Sequence, residues 1–140
     1  MPAIFEDERR VVSSEIDLMG HVNNIEYLRW TQRAAVRHSD AQGWTTEDYL
    51  RLGQGWLVRS HLIEYRQPAL LGDTVVIRTW IADMKKVTSW RRFRIFRSAD
   101  QALLADASTN WVFVNFQSGT LCRIPSEVRR AFEVVEEGSV

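Results

Sequence analysis

The chain has little of what would mark a secreted, fibrous, membrane-spanning or nucleic-acid-binding protein. Its one cysteine, Cys122, allows no internal disulfide and no multi-cysteine metal site. Three prolines and seven glycines in 140 residues exclude collagen-like and low-complexity disordered readings. Net charge is absent too: eighteen basic residues balance eighteen acidic ones, so nothing global points to DNA, RNA or an anionic membrane surface. No apolar run approaches the roughly 20 residues of a membrane span. The acidic opening Met1-Pro2-Ala3-Ile4-Phe5-Glu6-Asp7-Glu8 has no apolar segment of a secretion signal. What remains, 45% hydrophobic and 11% aromatic, is enough for one real core. The expectation is a soluble, cytoplasmic protein of one domain over residues 1–140.

No repeat or linker interrupts the chain. Residues 8–14 read as a short first strand, and residues 15–23 have neither helical nor strand period. From about Asn24 to His38 the pattern is helical. Glu26, Arg29, Arg33 and Arg37 fall within an arc of about 80°, and Tyr27, Leu28, Trp30, Thr31, Ala34, Ala35 and His38 fill roughly 160° on the other side. An apolar arc that wide belongs to a helix nearly enclosed by other structure. Asn23 or Asn24 is its natural cap. Gly43 ends the segment, and Thr45-Thr46-Glu47-Asp48 opens a short second helix through Leu52. The period then becomes two over residues 55–66, 74–82, 87–98 and 103–116, with links at 83–86 and 99–102 short enough for antiparallel hairpins. A last helix starts at Pro125 and runs to about Phe132, and the acidic tail from Glu133 to Val140 is expected to fray. One long helix followed by four antiparallel strands predicts an α+β domain in which the sheet wraps the helix. Trp80, Trp90 and Trp111 exceed what one sheet face hides, which predicts a second subunit.

The segment Asp17-Leu18-Met19-Gly20-His21-Val22-Asn23-Asn24-Ile25-Glu26-Tyr27 gathers an acid, an imidazole and two amides just before the buried helix. A helix start leaves backbone N–H groups unpaired and carries partial positive charge, which suits a developing oxyanion. A nearby carboxylate can act on the same carbonyl as nucleophile or general base. Together these suit hydrolysis of an activated acyl group without metal or cofactor. Against that chemistry stand plainer roles: Asp17 capping a turn, His21 hydrogen-bonding backbone, Asn23 and Asn24 serving only as caps. Tyr27 and His38 lie on the apolar arc and read as packing residues. His61 and Glu64, three apart in a strand, face opposite sides and carry no assigned role.

The string Asp-x-x-Gly-His-Val-Asn-Asn-x-x-Tyr resembles the active-site loop and helix start of the hot-dog-fold acyl-CoA thioesterases, the 4-hydroxybenzoyl-CoA thioesterase-like group among them. The likeness continues through Tyr65-Arg66-Gln67-Pro68, Leu71-Gly72-Asp73-Thr74-Val75-Val76-Ile77 and Arg123-Ile124-Pro125-Ser126-Glu127-Val128. It implies a hot-dog fold, a long central helix wrapped by a curled antiparallel sheet. It further implies a homodimer or homotetramer hydrolysing an acyl-CoA or an acyl-carrier-protein thioester, or else an acyl-binding protein that keeps the fold without chemistry. Asp17 matches the family's catalytic carboxylate, Asn24 the position whose backbone N–H polarises the thioester carbonyl, and His21 a histidine of bacterial relatives proposed for acid–base work. Plant acyl-carrier-protein thioesterases have an asparagine two after the aspartate, where this chain has Met19. That departure counts against the plant type of mechanism and leaves Asp17 as the main candidate.

A basic cluster, Lys85, Lys86, Arg91, Arg92, Arg94 and Arg97, interleaves with Trp90, Phe93 and Phe96. Strand alternation puts Arg92 and Arg94 on the face of Trp90, and Arg91 and Arg97 on that of Phe93. The plain expectation for most of them is a solvated, partly salt-bridged strand, with coenzyme phosphates as a second use for some.

Overall fold

The computed structural model describes residues 3–136. Strand β1 (Phe5–Arg10) and a single 3₁₀ turn at Ser13–Glu15 lead into helix α1 (Asn24–Ala41) and helix α2 (Thr46–Leu52). Strands β2 (Gln54–Tyr65), β3 (Thr74–Met84), β4 (Thr88–Arg97) and β5 (Leu103–Asn115) follow, then the short helix α3 (Ser126–Arg130). All five strands form one antiparallel sheet in the order β1-β3-β4-β5-β2. The two expected hairpins join β3 to β4 and β4 to β5. Strand β2 crosses to the far edge and pairs only with β5.

Helix α1 forms because residues 24–41 hold no glycine or proline and because Asn23 caps it, its Oδ1 accepting from the Ile25 N–H at 3.1 Å. It buries Tyr27, Trp30, Thr31, Ala34, Ala35 and His38, the expected arc, against the inner sheet face. There Trp30 and Ala34 meet Val75, Ile77, Phe93, Ile95 and Leu104. A second cluster around Ile81, Phe113, Ile124, Val128 and Phe132 closes the other end.

The first strand sits three residues earlier than the sequence suggests, over Phe-Glu-Asp-Glu-Arg-Arg, which has no apolar alternation to announce it. Tertiary charge pairing supplies what local pattern lacks. Outward-facing Glu6 binds Arg78 at 2.8 Å, and inward-facing Asp7, 4% exposed, meets Arg37 at 3.2 Å and Arg33 at 3.6 Å. The polar arc of α1 is thus partly a docking surface for β1. We expect Asp7→Asn to cost about 1–2 kcal/mol, since the arginines it leaves are half exposed and resolvate. The denaturant midpoint at unchanged slope checks this.

The tail also departs from expectation. Val134 bridges in parallel to Ile81, and the buried Val135 donates its N–H to the Ile81 carbonyl at 2.9 Å. Residues 137–140 of the expected frayed tail lie outside the described residues. Trp80, on the outer face, is only 5% exposed, and the Arg94 guanidinium lies over its ring at 5.6 Å. Apolar exposure concentrates elsewhere, at Leu57 and Leu62 of β2 and at Leu18 and Met19.

Candidate active site

The loop before α1 is a tight turn between bridged residues Ile16 and Val22. The Asp17 N–H donates to the His21 carbonyl at 2.8 Å, and the Gly20 N–H to the Asp17 carbonyl at 3.1 Å. Gly20 has φ +83°, a left-handed backbone that glycine adopts without strain. Asp17 also closes the turn through its side chain, Oδ1 accepting from the Met19 N–H at 2.8 Å and weakly from the His21 N–H at 3.4 Å. Among the described residues nothing donates to Oδ2. Asp17 therefore fulfils the plain turn-capping role, with half of its carboxylate left over.

Three contacts hold the turn against the helix. The Asn23 N–H donates to the Glu15 carbonyl at 2.8 Å, and the Val22 N–H to the Ala69 carbonyl at 3.1 Å. The Tyr65 hydroxyl donates to the Asn24 carbonyl at 3.2 Å. Beneath them the Glu15 carboxylate, 5% exposed, accepts from Arg9 Nη2 at 2.8 Å, Trp30 Nε1 at 2.9 Å and the Val12 N–H at 3.0 Å. No period marked Glu15 in the sequence. A carboxylate eight residues before the helix cap Asn23, with a tryptophan on the helix's buried arc, is the one signal that was present. The Tyr27 hydroxyl accepts from the Ala69 N–H at 2.9 Å, and burial pushes its pKa above the usual phenol range, as it does for Tyr65. Both are neutral supports for the loop.

At the helix start the Ile25 N–H goes to the Asn23 side chain and the Glu26 N–H to the Asn23 carbonyl. Among the described residues the Asn24 N–H has no acceptor. Asp17, Gly20, His21 and Asn24 are thus brought onto one edge of the molecule. The exposed His21 ring makes no described hydrogen bond to Asp17. At the tip Leu18 and Met19 are 106% and 80% exposed, an apolar pair turned to solvent in the protomer. Glu64 faces outward and pairs with Arg66 at 3.7 Å, whereas His61 faces inward, Nδ1 lying 2.6 Å from Thr109 Oγ1. Among the described residues no three His, Cys, Asp or Glu side chains gather as a metal would need.

Of the basic cluster, Arg97 is salt-bridged as expected, to Asp73 and Asp100 at 3.0 Å each. Arg91 is not solvated: it is 6% exposed and lies under α1. The alternation placed it correctly on the Phe93 face, but its charge suggested water where the structure has core.

The chain is similar to known proteins over most of its length. A model of the thioesterase-like superfamily matches residues 11–132. The acyl-[acyl-carrier-protein] hydrolase FATB2 of Cuphea viscosissima is 34% identical over 109 residues, which is 73% of this chain and 26% of that protein. The chain thus spans about a quarter of that plant relative's length. The long-chain acyl-CoA thioesterase FadM of Escherichia coli is 24% identical over 127 residues, covering 89% of this chain and 93% of FadM. Among solved structures, the gentisyl-coenzyme A thioesterase BH1999 superposes with a TM-score of 0.82 at 25% identity, covering 91% of this chain and 99% of that one. The 1,4-dihydroxy-2-naphthoyl-CoA thioesterase Slr0204 of Synechocystis gives 0.85 at 19%, over 91% and 94%, a likeness of fold.

Proposed function

We propose, starting from the fact that this chain belongs to the thioesterase-like superfamily, that it hydrolyses an acyl thioester, acyl-CoA foremost, to free acid and thiol. The observation that carries the reading is the half-free Asp17 carboxylate on the turn that ends at an unpaired Asn24 N–H. The thioester carbonyl oxygen accepts from that N–H, where the helix start favours negative charge. An oxyanion donor of this kind contributes about 3 kcal/mol to the transition state. Asp17 either attacks the carbonyl carbon, the C–S bond breaking as the acyl–oxygen bond forms, or takes a proton from an attacking water. In the first route water then cleaves the mixed anhydride and restores the carboxylate. The departing thiolate takes the proton that the attacking water gives up, directly from Asp17 or relayed through the His21 imidazole.

A carrier-protein thioester is the second reading, favoured by the 34% identity to the plant FATB2. The same acyl group offered on coenzyme A and on a carrier protein separates them. The expected result is the higher kcat/KM on the coenzyme thioester; hydrolysis of the carrier-bound form alone transfers the assignment to the second.

The reading also includes a homodimer, or a homotetramer built from it, working in the cytoplasm. Its support is β2, an edge strand of 12 residues with a neighbour on one side only and with Leu57 and Leu62 exposed. An edge that long and apolar invites a second copy. Glutamates at both positions, Leu57→Glu with Leu62→Glu, set like charges against each other across a two-fold. Light scattering is expected to give the mass of two chains or a multiple for the wild type and one chain for the variant. A wild-type mass of one chain overturns the dimer.

A further inference from the structure

At the other end of α1 from Asp17 lies a cavity of about 210 Å³ between the helix, α2 and the inner sheet face. Trp44, Tyr49, Trp56, Trp111 and Phe132 line it, and so does Arg91. Arg91 Nη1 donates to His38 Nδ1 at 2.9 Å and to Thr79 Oγ1 at 3.1 Å, neither of them a carboxylate. Its Nε and Nη2 have no acceptor among the described residues, and it makes no ion pair with an acidic side chain of those residues. By contrast, the largely buried guanidinium groups of Arg9 and Arg97 each meet a carboxylate. Burial pushes the Arg91 guanidinium down to about 10, so it stays charged at neutral pH. A cation only 6% exposed and without a counter-charge is costly to an apoprotein, and the donors that no residue accepts are left to a ligand. A planar fork of that kind matches a carboxylate.

We infer that this cavity takes the far end of an acyl group that itself ends in a carboxylate, with Arg91 as its partner. The inference rests on the thioesterase reading and names its substrate class: half-thioesters of dicarboxylic acids. The apolar ring walls hold the methylene stem, and the guanidinium neutralises the charged end. Within one protomer the cavity begins at Ala35, eleven residues beyond Asn24, or about 16 Å along the helix. In an edge-paired dimer the antiparallel β2 strands bring the Tyr65 end of one protomer, which carries its helix start, beside the Gln54 end of the other, where Gly55 and Trp56 border the cavity. The reaction centre of one protomer then faces the Arg91 cavity of its partner.

The test compares adipoyl-CoA with hexanoyl-CoA and suberoyl-CoA with octanoyl-CoA, in the wild type and in Arg91→Met and Arg91→Lys. Calorimetry of adipate against hexanoate accompanies the kinetics. The wild type is expected to favour the carboxylated member of each pair in kcat/KM by about ten- to a hundredfold, the factor that a hydrogen bond to a charged group contributes. Arg91→Met abolishes or reverses that preference, and Arg91→Lys restores part of it. Wild-type preference for hexanoyl-CoA and octanoyl-CoA, with hexanoate bound as tightly as adipate, overturns the inference and leaves thioester hydrolysis standing. Tight adipate binding that depends on Arg91, without turnover of any thioester, supports the cavity assignment and removes the thioesterase reading instead. Should Arg91→Met fail to fold, the wild-type ratios decide alone.

Discussion

Asp17→Asn is expected to lower kcat on the order of a thousandfold, within the range that a positioned base or nucleophile contributes. The substitution separates chemistry from structure unusually well at this position. The Asn side-chain oxygen can still accept from the Met19 N–H, the bond of 2.8 Å that closes the turn, so the loop and the Asn24 N–H keep their places. KM and melting temperature are therefore expected to stay near the wild-type values. Asp17→Ala removes the turn acceptor as well, and its expected result is a similar loss in kcat with a raised KM. If Asp17→Asn turns over a true substrate at wild-type rate, the carboxylate is only a turn cap, and the reaction needs another residue.

The second large effect falls on stability. Glu15→Ala strips the acceptor from Trp30 Nε1 and from the Val12 N–H and leaves Arg9 without its carboxylate. The buried Trp30 Nε1 and the part-buried Val12 N–H, left without partners, cost about 1–3 kcal/mol each, so the expected loss is about 4 kcal/mol. For a domain of this size that corresponds to a melting point lower by about 12 °C. Glu15→Gln keeps an acceptor for Trp30 and is expected to lose less than half as much. The Asn23 N–H is held by the Glu15 backbone carbonyl, which both variants retain, so kcat well below the new melting point is expected to fall far less than in Asp17→Asn. A loss under about 1 kcal/mol in Glu15→Ala would mean that water reaches these donors easily.

The contrast between these two acids shows what one-dimensional pattern carries. The helix, a cap at Asn23 or Asn24 and the four long strands were legible because period and capping chemistry are local properties. The chain order Asp17, His21, Asn24 was legible as a motif, and the structure sets the three along the turn that leads into α1. Glu15 was not, because its partners Arg9 and Trp30 lie six and fifteen residues away and become neighbours only when α1 docks. Strand β1 was displaced for the same reason, its inward Asp7 being held by arginines on a helix more than twenty residues on. Arg91 shows the opposite failure. Its period placed it on the correct face, but residue type argued for solvent, and the residue that breaks the local rule is the one that lines the cavity. The place of β2 at the sheet edge depends on long-range pairing with β5, which no window along the chain contains.

The account rests centrally on thioester cleavage, and the most direct measurement is free-thiol release by the purified wild-type chain from aryl-, short-, medium- and long-chain acyl-CoAs, with dicarboxylic half-thioesters among them. The predicted result is catalytic turnover of at least one class, the free acid appearing in equal amount with the thiol. Absence of thiol release from every member, and from the same acyl groups on a carrier protein, would contradict it and leave a binding protein on this fold.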